Sequence, residues 1–272
     1  MVLISQIITV SIIIAIGVMV FKWDKPVLNV KTIVVVSLLV TISLVLSLFS
    51  WMVPLFGFPS LKIGISQVPI MLIGFIFGPS WGFLAGLSVD ILELLTGTIA
   101  FPFFGFTLNK VLIGVIPGLA YRFVRKNNGF TQQLPNILLS IIAFSALIYV
   151  FSTQSISMPD GDIVVTLTMK LVISVLIVVL VGLLILGLKY LTKLNKHTYL
   201  LNWMIGVILV EMIVQLTLTP LWLDIMYDIP FVISVSVRLI KAVLMILVNT
   251  FIGHSVMRIF AHYFPSIKSN IA

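Results

Sequence analysis

The sequence predicts an all-α polytopic membrane protein, and three observations lead there. Hydrophobic residues make up 61% of the chain and charged residues only 9%, with a mean hydropathy of +1.28; soluble domains carry roughly 45–50% apolar and 25% charged residues. The apolar residues fall in continuous runs of about 20, the length a helix needs to cross the hydrocarbon core, and not in the alternating segments of about ten used by transmembrane barrels. Basic residues collect between alternate runs, as expected of cytoplasmic loops. Cysteine is absent, which excludes a disulfide framework, a thiolate metal site and a cysteine nucleophile.

The runs justify about nine helical segments. Val2 to Phe21 comes first and is closed by KWDKP at 22–26. A cleaved signal peptide places its basic residues before the apolar run; here they follow it, so the run reads as a helix. Thr32 to Val53 leads into a Pro- and Gly-rich loop from Pro54 to Gly64. Ser66 to Phe77 is too short to span upright and contains Pro69, so an oblique or kinked span supported by neighbours is expected. Pro79–Gly97 and Phe106–Phe123 follow, joined by an aromatic loop from Thr96 to Gly105. Beyond the polar break Arg125 to Asn136 lie Ile137–Phe151 and Ile163–Leu188, separated by a stretch with Asp160 and Asp162. The basic segment Lys189–His197 leads to Trp203–Leu223, then a short loop with Asp224 and Asp228, and a last run from Phe231 to Tyr263.

Alternation places Lys22, Lys25, Lys31, Arg122, Arg125, Lys126, Lys189, Lys193, Lys196, Arg258 and Lys268 on one side, eleven of the sixteen basic residues. Asp160, Asp162, Asp224 and Asp228 fall on the other. The first side is then the cytoplasm. The net charge of +8 is accounted for by topology without a nucleic-acid partner.

Inside the spans lie Asp90, Glu93, Lys110, Lys170, Glu211, Arg238 and Lys241. Each costs roughly 2.5–3.5 kcal/mol at a helix centre, so partners or a wet cavity are expected. Gly78, Gly82 and Gly86 recur every fourth residue with Asp90 as the next step, and Lys110, Gly114 and Gly118 repeat the pattern. Small residues at this spacing let helices approach closely in lipid, so an acid and a base lie on close-packed faces. One reading pairs Lys110 with Asp90 or Glu93, and Lys241 with Glu211, as structural ion pairs. The other leaves Arg238, with Lys62 in the loop above, as a cationic pocket for an anionic ligand entering from outside, since Arg suits bidentate recognition of a carboxylate. Trp51, Phe56, Phe58, Phe101, Phe103, Phe104, Phe106, Trp222 and Tyr227 cluster at the outer loops. They read either as an interfacial belt or as walls for a planar ligand. No phosphate-binding loop, dinucleotide fingerprint or paired-histidine motif occurs, and His197, His254 and His262 are scattered. Neither a cofactor nor a metal is expected.

Four stretches resemble one known family. They are SLLVTISLVLS at 37–47, FGFPSLKIGISQVPIMLIGFIFGPSWG at 56–82, FFGFTLNKVLIGVIPGL at 103–119, and LWLDIMYDIPF at 221–231 followed by RLIK at 238–241. Together they are similar to the substrate-binding S component of energy-coupling factor (ECF) vitamin transporters, and specifically to the folate type. The resemblance implies a six-helix core: helices one to four in 27–126, helices five and six in 201–272. An N-terminal helix in 1–26 and an inserted helical pair in 127–200 would be additional. It also implies capture of a vitamin from outside a prokaryotic cell membrane, docking on a transmembrane coupling subunit driven by two ATPase subunits, and no catalysis by this chain. Ser37 and Thr41 match the small residues that meet the coupling subunit, and Pro54–Gly64 and Thr96–Gly105 match the gating loops. The expected substrate-binding set is Lys62, Ser66, Asp90, Phe103, Phe106, Thr107, Lys110, Trp222 and Arg238. Folate fits these residues as a flat pterin against aromatic loops, a carboxylate tail on Arg238 or Lys62, and Asp90 as an acceptor for pterin N–H groups. The alternatives are an S component for riboflavin, thiamine or pantothenate, and an integral membrane enzyme built on the carboxylates. Thr219 and Pro220 depart from the Asn-Thr pair common before the LW motif.

Overall fold

The structure is a computed structural model that describes residues 2–55, 58–97, 102–124, 128–152, 154–156, 163–164, 166–194, 198–229 and 231–263. Phe56, Phe101, Arg125, Lys126, Asp160, Asp162, Lys196, His197 and Lys268 lie outside the described residues, as do the side chains of 51–63, Lys62 among them. The fold is helical: α1 (Val2–Trp23), α2 (Val30–Leu48), α3 (Gln67–Phe77), α4 (Pro79–Leu95), α5 (Phe104–Val124), α6 (Asn128–Ser152), α7 (Leu167–Leu194), α8 (Thr198–Val210), α9 (Thr219–Tyr227) and α10 (Phe231–Tyr263). A π-helical segment, Glu211–Leu218, joins α8 to α9 without a break. Among the described residues, six stretches of 18 residues or more are apolar enough to cross a membrane.

Two short hairpins interrupt the helices. The connection after α2, expected as a Pro- and Gly-rich loop, is an antiparallel pair of β1 (Trp51–Leu55) and β2 (Phe58–Ile63), in register from Trp51 opposite Ile63 to Leu55 opposite Phe58. Aromatic and β-branched residues favour the strands. The register slips between Val53 and Pro54, where proline has no N–H for the ladder. Helix α2 accordingly stops at Leu48, short of the expected Val53. The second pair, β3 (Ser155–Ile156) and β4 (Ile163–Val164), lies between α6 and α7.

Helix α3 is the hub. Every residue from Val68 to Ile76 is buried, because α2, α4, α5, α8 and α10 all pack around it. At about 1.5 Å per residue its eleven residues reach only about 16 Å. Enclosure by protein lets so short a segment sit at membrane depth. Pro69 lies in the first turn, where the missing N–H is one that no intrahelical carbonyl would have used. The expected kink is therefore unnecessary.

The glycine ridges mesh as their spacing predicted. A Cβ at Gly74 or Gly82 would overlap the Gly114 carbonyl, one at Gly86 the Lys110 carbonyl, and one at Gly118 the backbone of Gly74 and Pro79. Three helices thus converge on Gly114 with backbones in contact, a packing lipid tails cannot imitate. Gly78 ends α3 and starts α4 at φ +104°, a conformation that costs glycine nothing. Helix α1 lies along α4 and α5, with Phe21 edge-on to Phe83 at 5.6 Å between ring centroids. Both its ends are tied down. Asp24 pairs with Arg122 and accepts from the Ser80 backbone N–H (3.4 Å) and hydroxyl (3.2 Å), satisfying an orphan donor at the α4 N-terminus. At the opposite end the Gln6 side chain accepts from the Phe104 N–H at 3.3 Å.

Candidate ligand-binding site

Close packing of α4 on α5 makes one polar cluster. Lys110 forms ion pairs with both Asp90 (3.1 Å) and Glu93, and the Thr107 hydroxyl donates to Asp90 at 2.6 Å. Asp90, Glu93 and Thr107 are all buried. The spacing explains this cluster: Asp90 and Glu93 lie three apart on α4, and Thr107 and Lys110 three apart on α5, so each pair shares a face. Sequence reasoning offered Lys110 either acid; the structure gives it both. One cation compensates two anions, and Asp90 also meets a hydroxyl.

One turn before Thr107, where the chain enters α5, an aromatic corner forms with α9. Phe103 packs edge-on against Phe106 (5.6 Å) and Trp222 (5.8 Å between centroids). Trp222 donates its indole N–H to Asn109 Oδ1 at 3.0 Å, and Asn109 Nδ2 donates to Thr219 Oγ1 at 3.1 Å. A Cβ at Gly105 would strike both the Phe103 and Trp222 rings, so glycine is what lets them meet over this loop.

A second polar cluster centres on the π-helical segment. Pro220 has no N–H, and its ring would clash with the carbonyl four residues back; widening the preceding turn relieves both problems. The Thr217 and Thr219 hydroxyls donate to the carbonyls five residues earlier, Met212 at 2.9 Å and Val214 at 2.7 Å. This segment presents Glu211 and Gln215 to α3 and α10. Arg238 Nη1 donates to Gln215 Oε1 (3.4 Å), Gln215 Nε2 to Gln67 Oε1 (3.1 Å), and Gln67 Nε2 to Glu211 Oε1 (2.9 Å). The chain is polarised from a guanidinium to a carboxylate, so each amide has one orientation that satisfies its neighbours. Asn249 Nδ2 adds a second bond to Glu211 Oε1 at 3.2 Å. Lys241 and Arg238 are both within electrostatic range of Glu211.

Several expected site residues therefore come together: Asp90, Thr107 and Lys110 in the first cluster, Phe103, Phe106 and Trp222 in the corner, Arg238 in the second cluster. Arg238 is not the unengaged cation that charge pairing suggested. It donates Nε to Ser234 at 3.3 Å as well as Nη1 to Gln215. Ser66 contributes its backbone carbonyl, which accepts from the Ser43 hydroxyl at 2.7 Å and so ties α2 to the start of α3. Lys62 is placed by its backbone alone, opposite Met52 in the hairpin. Ser37 and Thr41 are exposed on α2 one turn apart, with the Thr41 hydroxyl bonded to the Ser37 carbonyl at 2.9 Å. Sequence reasoning missed Gln67, Asn109, Gln215 and Asn249. The signal was present: side-chain amides inside apolar helices are expected to hydrogen-bond across helices. Among the described residues no three His, Cys, Asp or Glu side chains converge as metal ligands.

Residues 31–268 match the pattern of the family described as ECF transporter, substrate-specific component. The chain belongs to this family. No curated protein matches it. A solved structure, the crystal structure of FolT bound with folic acid, is similar with 20% identity over 84% of this chain and 97% of that one, at a TM-score of 0.49. The ECF substrate-specific component region starts at Lys31, so α1 precedes it, while α6 and α7 lie within it. Both polar clusters and the aromatic corner belong to the ECF region. So does the α2 face that carries Ser37 and Thr41.

Proposed function

We propose that this ECF component captures folate or a related pteridine from the outer side of a prokaryotic membrane and hands it to an ATP-driven coupling module, without catalysing a reaction. The observation that carries this reading is that one helical bundle holds both an aromatic corner and a buried chain of amides ending in a carboxylate. A flat heterocycle rich in N–H donors and ring acceptors needs both. Aromatic faces supply stacking area, and oriented amides satisfy polar edges that would otherwise be buried unpaired. Gln67 follows β2 and Phe103 closes the α4–α5 connection, the two connections that the charge bias assigns to the outside, which supports entry from there. In this reading the Asp90–Lys110–Glu93 triad fixes the first turns of α5, presenting Phe103, Phe106 and Thr107, while Arg238 and Lys62 hold the carboxylate tail. Helices α2–α5, α8–α9 and α10 form the six-membered core, with α1 and the α6–α7 pair added to it. Ser37 and Thr41 face a transmembrane coupling subunit served by two ATPases.

Calorimetric titration of the detergent-purified protein with folic acid, riboflavin, thiamine and pantothenate tests the reading. Tight, one-to-one binding of folic acid that weakens in Arg238→Ala is the expected result. Binding of another vitamin in place of folic acid overturns the substrate assignment but leaves the transport role. No binding of any of the four by a folded sample overturns both.

A further inference from the structure

Of the three acids buried inside the described helices, two are fully employed. Asp90 and Glu93 meet Lys110, and Asp90 also meets Thr107. Glu211 differs. Its Oε1 accepts twice, from Gln67 and Asn249, yet Oε2 accepts nothing from the described residues although Glu211 is only 1% exposed. Asn249 on the facing helix repeats the pattern: Nδ2 donates to Glu211, while Oδ1 is fully buried and likewise accepts nothing from the described residues. A buried acceptor without a donor is costly, and most of a carboxylate's strength as an acceptor is wasted in that state. Here two such oxygens belong to side chains that are hydrogen-bonded to each other.

We infer that Glu211 Oε2 and Asn249 Oδ1 form an acceptor pair for a ligand edge that presents two adjacent N–H donors, the 2-amino and ring N–H groups of a 2-amino-4-oxopyrimidine. The inference rests on the pteridine reading above and moves recognition of the ring from Asp90 to Glu211. The surroundings fit the task. The polarised chain from Arg238 through Gln215 and Gln67 reaches only Oε1, which holds the carboxylate in place and leaves Oε2 unused. A site built this way rejects analogues that lack the donor, because its own buried acceptors are then left bare.

The same chain makes Glu211→Gln informative. The new carbonyl oxygen must replace Oε1, since Gln67 donates there and cannot turn without breaking its bond from Gln215. The new NH2 group then occupies the Oε2 position and confronts the ligand's donors. The experiment titrates wild type and E211Q with folic acid and with its analogue carrying 2-methyl in place of 2-amino. Wild type is expected to bind the analogue about 100-fold more weakly than folic acid. E211Q is expected to lose a similar factor for folic acid and to treat the two ligands nearly alike, a non-additivity that assigns the contact. Equal affinities of wild type for both ligands overturn the inference, as water filling the two acceptors would produce. An E211Q variant that binds folic acid as wild type does, or still discriminates, overturns it too. Should E211Q fail to fold, Asn249→Leu takes its place in the cycle with the same two outcomes. If wild type binds no folic acid, the pteridine reading fails at the first titration, and the inference with it.

Discussion

Replacing Lys110 with Met would leave Asp90 and Glu93 as two uncompensated anions between α4 and α5. The side chains are 16%, 5% and 3% exposed for Lys110, Asp90 and Glu93, so water cannot take over the work of the ammonium. Breaking a buried pair by removing one partner costs about 3–5 kcal/mol, and two stranded carboxylates place this case at the upper end. At the sensitivity of domains of this size, that corresponds to a loss of about 10 °C or more in Tm. Removing all three charges together is different. In D90N/E93Q/K110M no ion is left in the cluster, the amide oxygen introduced by D90N can still accept from the Thr107 hydroxyl, and charge-free replacements of buried ion clusters are often neutral. The triple variant is therefore expected to regain most of the lost Tm. The assay is thermal unfolding in detergent micelles, followed by tryptophan fluorescence. A K110M protein as stable as wild type would refute the burial argument; a triple variant no better than K110M would show that packing of the Lys110 stem, and not charge, holds the helices.

Two further outcomes follow from packing and exposure. Gly114→Ala drives a methyl group into the Gly82 backbone, where no side chain can turn aside. A loss of at least about 1–3 kcal/mol is expected, whereas Gly182→Ala on α7, with open space around it, should gain up to about 1 kcal/mol; thermal unfolding of both measures the contrast, and equal effects would contradict the ridge packing. Ser37→Phe with Thr41→Phe should abolish ligand uptake in cells expressing the full transporter while leaving ligand affinity of the purified chain unchanged, because both residues are exposed on α2; a parallel loss of binding would argue against a docking role.

The membrane reading and the helix-forming runs were legible because the bilayer acts locally. Every backbone polar group must be satisfied within its own segment, and every span must be long and apolar, so composition and run length carry the answer. The glycine ridges were legible for a similar reason: a four-residue spacing puts them on one face whatever the partner helix is. The β1–β2 hairpin was not, since Pro and Gly in 54–64 read as a loop and only the Trp51–Ile63 pairing reveals strands. The π-helical segment was equally hidden, although Pro220, its cause, stood in view.

What the sequence alone determined is therefore the class of the protein, its apolar segments, the small-residue faces and the inventory of buried charges. Only the tertiary structure decided who meets whom. Lys110 takes both Asp90 and Glu93 because α4 and α5 touch backbone to backbone at Gly82, Gly86 and Gly114. Arg238 reaches Glu211 through Gln215 and Gln67, residues from three different elements, and Asp24 at the end of α1 seats the N-terminus of α4 fifty-six residues away in the chain. The partners of a buried polar group depend on the rotation and depth of neighbouring helices. Those are set by side-chain packing across the whole bundle, and no local pattern in the chain encodes them.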